Sequence, residues 1–117
     1  MMQPKTYKEE RELDALIAGK VMSARVGWEK NTPYVIKGEK DVFSSENTVP
    51  NYCTSIGAAM SLAMELRRKG FKIEIVMDAQ GIVLACWDAD GNEIVKYENI
   101  ISKFSWFMCQ MALTAVE

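Results

Sequence analysis

An α+β fold is what this sequence predicts, and three observations predict it. Apolar residues return at helical spacing in two amphipathic segments, 7–22 and 56–67. Between 71 and 97 the pattern switches to period two, broken by two tight-turn tetrapeptides, "DAQG" and "DADG". After them comes a last segment, apolar over most of its circumference. The expected order is helix, irregular or hairpin segment, helix, three-stranded antiparallel meander, helix. The 117 residues suffice for one domain, 1–117, and not for two.

In the first helix, "YKEERELDALIAGKVM", Leu13, Leu16, Ile17 and Lys20/Val21 fall at helical spacing, with charges on the other face. Thr6 is the expected N-cap, and Glu9 three residues on completes a capping box. From 23 to 49 the pattern dissolves, and only "YVI" and "DVF" look extended. Lys37-Gly38-Glu39-Lys40 between them is placed to turn a short hairpin. The second helix follows Pro50, with Ile56, Ala59, Met60, Ala63 and Leu66/Arg67 as its apolar stripe and Gly70 as the residue that ends it. Phe71, Ile73, Ile75 and Met77 alternate along the first meander strand, followed by strands at Ile82–Trp87 and Glu93–Tyr97. The final helix is read from "NIISKFSWFMCQMALTAVE". Ile100, Phe104, Phe107/Met108, Met111 and Ala115 line one face, and Trp106, Cys109, Leu113 and Val116 another. A second apolar face predicts a homo-oligomer; the alternative is that it lies under the 23–49 segment.

Composition excludes more than it assigns. The net charge is −2, and Lys and Arg are spread along the chain. The concentrated basic field that nucleic acid requires is therefore absent, and no nucleic-acid partner is expected. Arg67-Arg68-Lys69, the one compact basic group, reads as the dipole-complementing end of a helix. Cys53, Cys86 and Cys109 are odd in number, widely spaced and without a CxxC pair, as reduced thiols of an intracellular protein would be. No signal-peptide core and no apolar run of about 20 residues occurs, so no membrane partner and a cytoplasmic location are expected. There is no histidine. Ser-His-Asp and Cys-His nucleophilic systems and His-containing metal sites are thereby excluded within one chain. No metal site and no cofactor are expected. "DADGNE" echoes the opening of a calcium loop but fails it: glycine comes two positions early, and the twelfth position is Asn99.

The stretch "ERELDALIAGKVM", Trp28 soon after it, "VPNYCTSIGAAMSLAMEL", and a last helix with Cys109 followed by Gln-Met-Ala-Leu resemble the phage ABA sandwich domain family. These are small proteins of bacteriophages and prophages, and the likeness runs along nearly the whole chain. The family commonly reads Tyr-Ser-Thr-Asp-Ile-Ala-Ala-Ala-Trp at the second helix. This chain has Cys53 for the serine, Ser55 for the aspartate, Gly57 for the first alanine and Met60 for the tryptophan. The resemblance implies an α/β/α layered fold and a phage origin, and it brings no established enzymatic activity.

Two readings fit the start of the second helix. Asn51, Cys53 or Thr54 acts as a plain N-cap, or the free N–H groups there receive an anion, favoured by the loss of the family's aspartate at Ser55. Trp28, Tyr34, Tyr52 and Trp87 are aromatics on or beside loops, placed either to complete the core or to stack on a nucleotide-sized ligand. With Arg67 as a cation, the candidate ligand-binding set is Trp28, Tyr34, Tyr52, Cys53, Thr54, Ser55, Arg67 and Trp87. The expected function is non-enzymatic: a phage protein that binds a nucleotide-derived immune signal as a sponge in counter-defence. The alternative is an accessory protein that holds a host or phage protein on an apolar surface. A nucleotide-converting enzyme ranks third.

Overall fold

A computed structural model describes residues 7–39 and 41–117; the expected cap at Thr6 lies outside them. Helix α1, Tyr7–Lys20, is followed by a two-stranded antiparallel hairpin of β1, Arg25–Glu29, and β2, Thr32–Ile36. A single 3-10 turn at Ser45–Asn47 leads to α2, Ile56–Arg68. The meander comprises β3, Lys72–Asp78, β4, Gly81–Trp87, and β5, Glu93–Ile100, in that spatial order and antiparallel throughout. Helix α3, Phe104–Val116, closes the chain. The α+β class, the layered arrangement and the meander are those the sequence predicts. Helices α2 and α3 pack on the meander, α1 packs on α3, and the hairpin packs on α1.

Each turn of the meander is held by its own aspartate. Asp78 Oδ1 accepts the Gln80 N–H at 2.8 Å, and Asp88 Oδ1 accepts the N–H groups of Asp90 and Asn92 at 2.9 Å each. The Asn92 and Asp90 amides hold the Asp88 carboxyl below its ordinary range. The calcium-loop echo is thus a hairpin turn whose carboxylate is taken up by backbone.

Four details depart from the sequence reading. First, the hairpin turns at Lys30-Asn31, where Lys30 takes a left-handed φ of 55°, and not at residues 37–40, of which Lys40 lies outside the described residues. "YVI" is its second strand, and 41–44 forms none. Register places Gly27 opposite Tyr34, and the tyrosine ring occupies the space where a Cβ at Gly27 would sit, 2.6 Å away. Second, α1 buries Arg11, Asp14, Ile17 and Ala18, with Val21 just beyond its end, and leaves Leu16 exposed. Third, α2 buries Ala59, Leu62, Ala63 and Leu66, so its stripe is rotated; Ile56 and Met60 face outward because α3 and β3 press on the opposite side. Fourth, Ile100 ends β5, paired with Ile82, and α3 begins only at Phe104. The rest of α3 is buried nearly all round, between the meander on one side and α1 and α2 on the other. Its second apolar face is spent inside the chain, so the surface on which a homo-oligomer was expected is not available.

One buried cluster joins these layers. Arg11, 3% exposed, donates through Nη1 to Asp14 Oδ2 at 2.7 Å and to Asn51 Oδ1 at 2.7 Å, and through Nη2 to the Val49 carbonyl at 2.6 Å. Asp14, 1% exposed, accepts the Cys53 N–H on its other oxygen at 2.9 Å. The segment 49–53 is thereby fastened to α1 before α2 begins. Tyr52, Cys53 and Cys109 lie buried beside this cluster. Burial first, and Asp14's negative charge second, raise the Tyr52 and Cys53 pKa values; burial, followed by Cys53 and Asp14, raises that of Cys109.

Asp14→Ala leaves the Arg11 charge buried without its counter-ion and should cost about 3 kcal/mol in urea unfolding. Arg11→Met with Asp14→Leu should cost less than the two single changes added together. The acids with raised pKa values give a second expectation. Each holds its proton more tightly folded than unfolded, so its contribution is complete below the unfolded thiol value of about 8.5 and falls as pH rises beyond it. Melting temperature should be level from pH 7 to 8 and decline toward pH 10. Ellman's reagent should find no thiol until denaturant is added, because Cys53, Cys86 and Cys109 are all buried.

Candidate functional site

The start of α2 is capped by Ser55, whose Oγ accepts the Ala58 N–H at 3.3 Å. The expected caps have other partners or point away. Asn51 accepts from Arg11, the Cys53 thiol donates to the Glu10 carbonyl at 3.3 Å, and Thr54 is exposed. Ser55 preserves the cap while leaving the first turn of α2 without an acidic residue.

A cleft of about 490 Å³ opens at this end of the molecule. Cys53, Thr54 and Ile56 at the start of α2 form one wall, and Glu10 of α1 adjoins them. Ile82 of β4 lies on the helix-covered side of the sheet. The connection Ile101, Ser102 and Lys103, with Phe104, Ser105 and Trp106 of the first turn of α3, forms the opposite wall. Two helices therefore begin at one cleft. The second lacks a side-chain cap: Lys103, at φ 60°, precedes α3 without capping it, and no acid stands in the first turn. The first intrahelical bond is Phe107 N–H to the Lys103 carbonyl at 3.1 Å, so the amides of Phe104, Ser105 and Trp106 lie ahead of the ladder. Each helix start directs its dipole's positive end toward the cleft, and Glu10 of α1 is the acidic residue in the lining.

Trp106 adds a donor. Trp106 is among the residues lining the cleft, it is 4% exposed, and its buried indole N–H has no partner among the described residues. A buried donor left unpaired costs about 1–3 kcal/mol, which a bound acceptor would offset. The rest of the lining is largely apolar: Ile56, Ile82, Ile101 and Phe104.

The expected ligand set does not converge. Cys53 and Thr54 line the cleft, and Ser55 caps the helix beside them. Tyr52 is buried in the core. Trp28 is exposed on β1 opposite Pro33. Tyr34 is buried in the hairpin, its hydroxyl donates to the Asp41 carboxylate, and its ring meets Phe43 edge-on at 5.7 Å. The hydrogen bond to Asp41, then burial, raises its pKa. Trp87 ends β4 on the side of the meander away from the helices, with the Lys72 ammonium 5.1 Å from its ring centroid. Arg67 lies in the last turn of α2, roughly 18 Å along the axis from Ser55 at 1.5 Å per residue. Sequence reasoning missed Glu10, Ile82 and the 101–106 wall. The polar pair Ser102-Lys103 inside an apolar run was the available sign of a boundary there. Among the described residues, no three Cys, Asp or Glu side chains gather as a metal site would need, and no helix is long and apolar enough to cross a membrane.

No family model matches the chain, and no curated protein matches it either. Among solved structures, it is similar in fold to a phage protein from Bacillus cereus ATCC 14579, with a TM-score of 0.60 and 19% identity over 99% of each chain.

Proposed function

We propose that this is a phage protein that binds a small anionic molecule of the nucleotide type in the α2–α3 cleft. It would act by withholding that molecule, without converting it, as a sponge in counter-defence would. The observation that carries the reading is a cleft where two helices begin, neither with an acid in its first turn, lined by Trp106, whose buried indole N–H is unpartnered among the described residues, and by Glu10 as its acidic residue. Amides ahead of the α3 ladder suit a phosphate or carboxylate, and Phe104 with the isoleucines suits an apolar or aromatic body. A volume of about 490 Å³ is in the range of small-ligand sites, roughly 300–1,000 Å³. The phage origin is supported by the Bacillus cereus fold likeness and by the sequence resemblance described above.

Calorimetry with cyclic dinucleotides and ADP-ribose derivatives at micromolar protein tests it. At least one ligand should bind. Thr54→Trp, which fills the rim, should abolish binding. Trp106→Phe should weaken it about tenfold while circular dichroism shows the fold retained, the loss of the unpaired donor offsetting part of the packing lost with the smaller ring. Absence of heat with every ligand, or full affinity in Trp106→Phe, would overturn the proposal.

A further inference from the structure

The two edges of the meander are built differently. Strand β5 departs from regular pairing with β4 twice, between Ile82 and Leu84 and between Cys86 and Trp87. Such irregularities blunt an edge against further pairing. Strand β3 has none: all seven residues from Lys72 to Asp78 pair in unbroken register with β4. It is the terminal strand of its sheet, and among the described residues no backbone hydrogen bond joins Lys72–Asp78 to anything beyond β4. The edge also carries exposed apolar side chains, Val76 and Met77, the latter 72% exposed. A regular, apolar, unpaired edge of this length is a template for another strand.

We propose that the occupant is a second copy of β3, giving a two-fold dimer with a continuous six-stranded sheet. The strand's own sequence, Lys-Ile-Glu-Ile-Val-Met-Asp, selects this partner. A two-fold axis perpendicular to the sheet pairs residues of like parity, so the axis passes through a residue. Centred on Ile75, all seven residues pair: Lys72 meets Asp78, Ile73 meets Met77, Glu74 meets Val76, and Ile75 meets itself. Opposite charges face each other at both ends, and apolar pairs fill the helix-covered side. Centred on Glu74, the two glutamates oppose each other; centred on Val76, Glu74 opposes Asp78. One register therefore combines full length with charge complementarity. Met60 and Met64 of α2 flank the groove beside Ile73 and Ile75, so the helices would border the new contact on one side.

Sedimentation equilibrium of the whole chain from 1 to 200 μM tests the pairing. The wild-type chain, 13.2 kDa, should sediment at twice that mass. Lys72→Asp places like charges at both ends of the contact, as does Asp78→Lys, and each should weaken the dimer at least tenfold. The double variant Lys72→Asp with Asp78→Lys restores opposite charges and should recover the dimer. Circular dichroism of each variant separates lost pairing from lost folding, and recovery in the double variant does so again. A monomer throughout the range, or a dimer indifferent to the single changes, would overturn the inference. Neither outcome bears on ligand binding in the α2–α3 cleft.

Discussion

The arrangement depends on a guanidinium buried in the wrong kind of place. Arg11 and Asp14 occupy the inward stripe of α1, where an apolar pair would ordinarily sit. An isolated buried ion pair gains little, because desolvation consumes most of its Coulomb energy. Here the charges also satisfy groups that would otherwise be stranded. Arg11 serves the Val49 carbonyl and Asn51, and Asp14 serves the Cys53 amide. A stretch of irregular backbone is buried against a helix with its polar groups matched, which apolar side chains at 11 and 14 would not allow. The match is incomplete, since Arg11 Nε has no partner among the described residues. What the cluster fixes is position: the segment 49–53 is anchored, and α2 starts where that segment ends.

From that starting point the cleft follows. Helix α2 must begin beside α1, and α3 begins where β5 hands over to it, so both first turns open at one end of the fold. Ser55 satisfies one amide of α2, whereas α3 enters through the left-handed Lys103 without side-chain capping. The meeting of two acid-free helix starts at that end is therefore a property of where two elements happen to start, and neither element has a distinctive motif of its own.

This explains what was legible in the sequence. The meander was, because period-two alternation and two aspartate-led turns are local signals that tertiary context did not override. The end of α2 at Gly70 was, because φ 102° there favours glycine. The rotation of α1 and α2 was not. Leu16 and Met60 look more buriable than Arg11 or Ala59, and only the layers pressing on each helix decide which side turns inward. The phase of Arg11 and Asp14 was nonetheless visible in principle, since they precede Ile17, Ala18 and Val21 at the same helical spacing. The β5–α3 boundary was hidden by two adjacent isoleucines, Ile100 buried and Ile101 86% exposed, and the cleft's far wall was hidden with it. Aromatics near loops proved a poor guide, because Tyr34, Tyr52, Trp28 and Trp87 are distributed over the hairpin, the core and the far side of the meander.

The sealing of the three native sulfhydryls has a practical consequence. Cys53, Cys86 and Cys109 are each buried, so the folded surface offers nothing for a maleimide to attack. A single thiol installed on an exposed position, such as Ser61 of α2, would take one fluorophore per chain without any native cysteine first being replaced. The molecule is thus suited to distance measurements by energy transfer in its unaltered core.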